Sequence, residues 1–368
     1  MLYLYNFIFL TFFLIISELK ILKKNWYKNI VIIYFLFIFG QRWAAGVDFY
    51  GYLKYYIIGF KTEIGYRIIQ DYLSENNIYF GILIFFIYLF TTLTSIWFLR
   101  KFFKSNYVIY IFFLSEYHMM SINPLRTYIA INFFLIGIYN LFFYKKTIKC
   151  ILFLIIGSLF HRLILFTIPF LIFFKSDKKI NKKINLIVVI LLFILPIIPF
   201  YQILKLLVPY IPKYGAYIGS IYDIPLSFLN IFRYYAILIF YIYFYENKIK
   251  ERNFIFINRG MLIFMLLMGI TTSFAPLHRV SYFFKIFEIL YFSYFFIKEK
   301  CKYKKILILI FFILNYSAIL YKDMGVLKYY ELKILHLKNY RTYEEYREEI
   351  ILDNLKKSKY MKLRERQI

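Results

Sequence analysis

Apolar runs about as long as a bilayer is thick recur down this chain, and they leave it one class of solution. The stretch "ILIFFIYLFTTLTSIWFL", residues 82–99, carries no charge at all. A helix crosses the hydrocarbon core with roughly 20 such residues, and ~17 is the short limit. In lipid every backbone N–H and C=O must be satisfied within the protein, which leaves helices or closed barrels. Nothing in the sequence alternates over the about ten residues of a barrel strand. The chain is therefore read as an all-α, polytopic membrane protein of about 10 spans. They lie at 2–17, 29–47, 80–99, 106–122, 124–144, 184–202, 226–245, 255–275, 280–297 and 304–321. These make one membrane domain, 1–321, followed by a basic tail, 322–368.

Composition agrees. Of 368 residues 62% are hydrophobic and only 18% charged, where a soluble domain is nearer half apolar. The formal charge of +27 suggests nucleic acid at first sight. That class is excluded because the lysines fall between apolar runs and form no soluble basic domain. Phe, Tyr, Ile, Lys and Asn share AT-rich codons, so the aromatic excess argues for no binding site by itself. The first run, "LYLYNFIFLTFFLII", lacks a basic leader and a small-residue cleavage site, and is expected to stay as a span. Cys150 and Cys301 sit beside Lys-rich loops, where no structural disulfide is expected. The four His and two Cys have no zinc spacing, and no nucleotide loop or nucleophile elbow is present. No metal or cofactor is expected.

Orientation follows from the basic loops. Lys20, Lys23, Lys24 and Lys28 follow the first span, Arg100, Lys101 and Lys104 the third, and Lys145, Lys146 and Lys149 the fifth. These loops alternate and share the cytoplasmic side. The run 150–174 is then followed by Lys175, Lys178, Lys179, Lys182 and Lys183. If that run crossed once, these lysines would lie outside. A re-entrant hairpin removes the conflict: each arm of about 12 residues makes ~18 Å of helix, too short to cross. His161 and Arg162 would form its tip. One kinked span that breaks the charge rule is the alternative. The outer loops are 48–79, where "GFKTEIGYRIIQDYLSENN" reads as an amphipathic helix, and 203–225, expected along the outer interface. The tail then falls outside, against the charge rule.

Cytoplasmic charge is clustered Lys. Arg42, Arg126, Arg162, Arg233 and Arg279 are instead isolated arginines at span ends or within apolar sequence. Arg offers a planar fork that grips phosphate in two places, so an outward set suits a lipid diphosphate. The plain alternative is interfacial anchoring, and Arg233 is read that way. Asp48 either caps a helix or pairs with Arg42, or else takes a proton from a sugar hydroxyl. His161 is either a packed histidine or a base working near neutral pH. Lys285 and Glu288 are expected to pair on one helix face.

The pattern R-x-x-x-G-x-D-x-x-x-Y at Arg42, Gly46, Asp48 and Tyr52 resembles the opening signature of the EpsG-like, Wzy-type polysaccharide polymerases. E-x-G-Y at Glu63–Tyr66 looks like the next element. "LRTYIAINFFL" resembles the arginine-alanine helix, at Arg126 and Ala130, and "LIIGSLFH" the Phe-His segment ending at His161. "HRVSYFF" looks like the late element, at Arg279 and Tyr282. Arg162 directly after the His departs from the usual small polar residue.

The resemblance implies a GT-C-like membrane glycosyltransferase at the outer face of the bacterial inner membrane. It would join undecaprenyl-diphosphate-linked oligosaccharides into O-antigen, capsule or exopolysaccharide, with a chain-length regulator as a partner. It implies catalytic roles for His161 and Asp48. Substrate contacts would come from Arg42, Tyr52, Glu63, Arg126, Arg162, Arg279 and Tyr282. A lipid-linked oligosaccharide flippase, an O-antigen ligase and a membrane O-acyltransferase are the competing classes. If Arg42 grips a diphosphate, Arg42→Lys should abolish polymer with protein level intact, since a point charge loses the two-toothed grip. Normal polymer length in that variant, read on a gel, would mean that Arg42 only anchors.

Overall fold

The computed structural model describes residues 49–59, 62–103, 124–198, 228–245, 251–271 and 278–327, with a few single or paired positions elsewhere. Most of the expected spans 2–17 and 29–47, the expected span 106–122, the loop 203–225 and most of the tail lie outside the described residues. What is described is helical, apart from one antiparallel pairing of two short strands. β1, Arg42–Trp43, pairs with β2, Lys333–Ile334, in the register Arg42 with Ile334. That pairing sets this part of the tail beside the end of the expected span 29–47.

Two compact units divide the chain, residues 1–136, 153–162 and 306–368 forming one and residues 137–152 and 163–305 the other. In the first, α1 (Phe49–Ile58) buries Phe49, Tyr52, Leu53 and Tyr56. That spacing is the stripe of a helix packed on one side. Gly59 ends α1 at a φ of +71°, the left-handed region that glycine enters without strain. Next comes α2 (Ile64–Glu75), which buries Tyr66 and Gln70 one turn apart. Gln70 Nε2 donates to the Tyr55 carbonyl at 2.7 Å and ties α2 to α1. The 23-residue α3 (Phe80–Phe102) is long and apolar enough to cross a bilayer. So is α4 (Leu125–Tyr144). Asn132 of α4 donates to Thr91 Oγ1 of α3 at 3.0 Å, with both side chains buried. An interhelical hydrogen bond of this kind stabilises helix association by about 0.6–2 kcal/mol. On α3 the opposite face exposes Ile82, Phe86 and Leu93, side chains suited to lipid.

After α4 the chain makes α5 (Thr147–Ser158), a turn, a 3-10 helix over Arg162–Phe170, and the short α6 (Leu171–Lys175). Pro169 lies inside the 3-10 stretch. Its missing N–H and its ring bulk keep that stretch from closing regular α-helical bonds. The ends of this excursion meet. Lys145 Nζ donates to the Lys175 carbonyl at 3.0 Å and lies 3.5 Å from Asp177 Oδ2. The 12 residues of α5 rise ~18 Å, and the 9 residues of 3-10 helix return by about as much. The chain therefore turns back on itself between Lys145 and Lys175. Ile151, Leu152, Ile155, Phe166, Ile168 and Ile172 along it are exposed, an apolar surface that water would not tolerate.

The second unit is built on α9 (Arg252–Thr271) and α10 (Lys285–Lys298), both buried almost all round. α9 is the third helix long and apolar enough to cross a bilayer among the described residues. Gly260 lets them meet, since a Cβ there would fall 2.1 Å from the Phe287 ring. The expected Lys285–Glu288 pair forms, with both side chains essentially fully buried, and Lys285 Nζ lies 5.3 Å from the centre of the Phe264 ring. α7 (Lys182–Ile194) and α8 (Phe228–Phe244) complete this unit. Tyr241 Oη lies 3.1 Å from Asn185 Oδ1 and 3.0 Å from Asn258 Oδ1, a polar knot linking α7, α8 and α9. α11 (Lys302–Leu327) follows α10.

The meeting of Lys145 and Lys175 gives a direct test of which side each lies on. Cysteines placed at Lys146 and Lys179, in a background without Cys150 and Cys301, should both resist an impermeant thiol reagent in intact cells. Labelling at 179 alone would contradict a hairpin that enters and leaves by one face.

Candidate functional site

The candidate site forms where the first turn of α2 meets the turn after α5. Glu63 stands at the N-cap of α2 with extended backbone, φ −61° and ψ 142°, and makes no side-chain cap bond. Ser, Thr, Asp and Asn are the residues that cap well, because their short side chains reach back to the open N–H groups. Glu63 reaches the other way. Its Oε2 accepts from Arg126 Nη1 of α4, and its Oε1 lies 3.4 Å from His161 Nδ1. One carboxylate thus holds a guanidinium on one oxygen and an imidazole beside the other.

Backbone fixes this meeting. Gly65 N–H, one of the open donors of the first helical turn, donates to the Leu159 carbonyl at 2.8 Å. The Gly157 carbonyl accepts from both Phe160 and His161 N–H at 3.0 Å. Gly65 is needed because a Cβ there would sit 3.0 Å from both Leu159 Cβ and Leu159 O. Packing adds to this. Phe133 stacks on Phe160 at 5.7 Å between ring centres and on Phe153 at 6.5 Å. Arg126, Ala130 and Phe133 follow i, i+4, i+7 spacing, so one face of α4 carries the arginine and the ring that seats the turn. The Tyr52 ring of α1 lies 5.7 Å from the Arg126 guanidinium carbon, in cation–π range. Tyr66 stands 6.0 Å from Tyr52 and is buried.

Electrostatics makes Glu63 an anion. Partial burial raises the affinity of its carboxyl for a proton. The His161 ring and the Arg126 charge beside it outweigh that and hold the group at about 2, against an ordinary 4.5. Glu63 is then a counter-ion and not an acid near neutral pH. His161 presents Nδ1 to it. Thr62 Oγ1, Tyr66 Oη and Arg126 Nε are buried with no hydrogen-bond partner among the described residues. Buried polar groups are nearly always satisfied, and these lie beside or close to the Glu63 carboxylate in the chain or in space.

Of the residues singled out in the sequence, Tyr52, Glu63, Arg126 and His161 come together. Arg162, next to His161, is exposed. Arg279 is also exposed, on a single helical turn, His278–Ser281. There His278 Nδ1 lies 3.3 Å from Ser281 Oγ, and its ring packs edge-on to Tyr282 at 4.9 Å. Asp48 and the Arg42 side chain lie outside the described residues. Two further arginines, neither singled out as a site residue in the sequence, have defined partners. Arg252 donates to the Phe142 and Phe143 carbonyls at 3.0 and 3.1 Å, at the end of α4. Arg259, buried in α9, donates to the Phe173 carbonyl within α6 and to the Lys178 carbonyl beyond it. An Arg inside "FINRGML" was signal enough for the second.

The chain belongs to the EpsG family, whose model matches residues 25–333. Comparison with curated proteins and with solved structures gives no match. The matched stretch includes every residue of the Glu63 cluster and all the elements that hold it.

The clamp at Gly65 generates a test. Gly65→Ala forces the Leu159 backbone to yield, which should destabilise the protein by about 1–3 kcal/mol as overpacking does. It should also lower turnover more than it lowers protein yield, because the turn that carries His161 is what moves. Wild-type melting temperature and wild-type specific activity in this variant would show that the contact positions nothing.

Proposed function

We propose, with membership of the EpsG family as the premise, that this membrane protein is a polysaccharide polymerase of the Wzy type. It would join oligosaccharide repeat units carried on undecaprenyl diphosphate, at the outer face of the bacterial cytoplasmic membrane. The observation that carries this reading is the Glu63 carboxylate with Arg126 on one oxygen and His161 beside the other. A cation for a leaving diphosphate and an imidazole for an incoming hydroxyl stand within one cluster.

The reaction moves one glycan from lipid to sugar. The bond between the anomeric carbon and the phosphate oxygen of the donor breaks, and its electron pair leaves with the lipid diphosphate. An oxygen of the acceptor's sugar bonds to the anomeric carbon. The hydroxyl proton passes to His161 Nε2. Arg126 stabilises the negative charge as it gathers on the departing diphosphate, the role that fixed cations play most strongly where water is scarce. Tyr52 offers an aromatic wall beside it. Arg42, Asp48, Arg162, Arg279 and Tyr282 belong to this proposal on the sequence resemblance, with Asp48 the other candidate base. The reading extends to the membrane: the segment 150–174 is re-entrant, and its tip brings His161 to the outer half of the bilayer. Irregular backbone at that depth is tolerated where protein buries it or a wet cavity meets it.

His161→Gln is the variant that tests this chemistry. Gln keeps size and some hydrogen bonding but is a poor proton acceptor. With purified protein and lipid-linked repeat units, turnover should fall by ~10²-fold or more while donor binding persists. Specific activity near that of the wild type would remove His161 as the base.

A further inference from the structure

We propose that Glu63 is a positioning residue shared between Arg126 and His161, through which a diphosphate drawn to Arg126 raises the basicity of the His161 ring. The proposal rests on the polymerase reading for its ligand, and on geometry for its mechanism. Arg126 Nη1 takes Oε2 of the carboxylate, while His161 Nδ1 lies 3.4 Å from Oε1. That separation is within ion-pair reach, but Nδ1 lacks the alignment of a hydrogen bond and has no such partner among the described residues. Arg126 holds the carboxylate closely and His161 holds it loosely. The two compete for one negative charge.

Among the described residues, these are the titratable groups that the contacts bring to the cluster. Glu63 and Tyr66 come from α2, Arg126 from α4 and Tyr52 from α1; the exposed Arg162 follows His161 in the chain. Glu63 is the anion among these groups at neutral pH. With Arg126 on it, part of its charge is neutralised. An anion that takes over the guanidinium unmasks that charge. A carboxylate within ~4–6 Å of an imidazole favours the protonated form by one unit or more. It also fixes Nδ1 as the protonated nitrogen and leaves Nε2 to accept. The consequence is ordered chemistry: the base becomes strong once a lipid diphosphate has been gripped, and an acceptor hydroxyl is activated against a donor that is present. Linkage requires the reverse as well, so a protonated His161 should tighten diphosphate binding.

The test follows the histidine itself. The protein is labelled with isotopic histidine in detergent micelles, and the His161 resonance is assigned by its absence from His161→Gln. Its titration is then recorded alone, with farnesyl diphosphate and with farnesol. Farnesyl diphosphate should move the midpoint up by about one pH unit, and farnesol should not move it. Glu63→Gln and, separately, Arg126→Gln should abolish the movement. An unmoved midpoint with farnesyl diphosphate overturns the proposal, whether the ligand binds elsewhere or not at all. An equal shift with farnesol, or one that persists in either variant, overturns it too, since the field would then reach His161 by another route. If one variant does not fold, the wild-type comparison and the other variant still decide. No turnover is needed for this readout. A responsive His161 in a protein that joins no repeat units would leave the coupling standing and remove the polymerase reading. Polymer made with an unresponsive His161 would do the reverse.

Discussion

A carboxylate that must stay ionised beside a guanidinium, in surroundings mostly apolar, governs the described architecture around Glu63. Removing a partner from such a pair leaves a charge that the interior cannot solvate, and that is costly. The site is therefore held from several sides. The start of α2 supplies Glu63, α4 supplies Arg126, and the turn after α5 supplies His161, seated by the Gly65–Leu159 hydrogen bond and by the Phe133–Phe160 stack. Glu63 gives up the helix cap that its position invites.

The arginines of this chain divide by what they end on. Arg252 and Arg259 end on backbone carbonyls, at the close of α4 and in and just beyond α6, and act as staples. Helix ends and irregular turns leave such carbonyls open, and in a lipid-embedded protein each one needs a donor. Arg126 ends on a carboxylate that also faces an imidazole. Arg162 and Arg279 are exposed. Burial alone does not separate a functional arginine from a structural one: Arg259 is the more buried, yet its contacts explain it as scaffold.

Much of this was readable in the sequence because lipid imposes simple rules. The apolar runs at 80–99, 124–144 and 255–275 appear as Phe80–Phe102, Leu125–Tyr144 and Arg252–Thr271. The loop stretch around Glu63 is helical, as its periodicity predicts. The residues of the site were also visible singly, as an Arg, a Glu and a His that apolar sequence does not need. Their meeting was not. Glu63 and His161 are far apart in the chain, and no local pattern records that Gly65 would bond to Leu159. Glu63 reads in the sequence as a substrate contact, whereas its carboxylate here binds Arg126 and faces His161. The break between His278–Ser281 and Lys285–Lys298 was hidden because the apolar run 280–297 continues through it.

The most direct measurement of the central claim is elongation by the purified protein. Reconstituted in vesicles with undecaprenyl-diphosphate-linked repeat units, it should yield a ladder rising by one repeat unit per step, with one undecaprenyl diphosphate released for each bond formed. Single units that remain unjoined while crossing the bilayer, or that gain an acyl group instead of a sugar, would contradict the account.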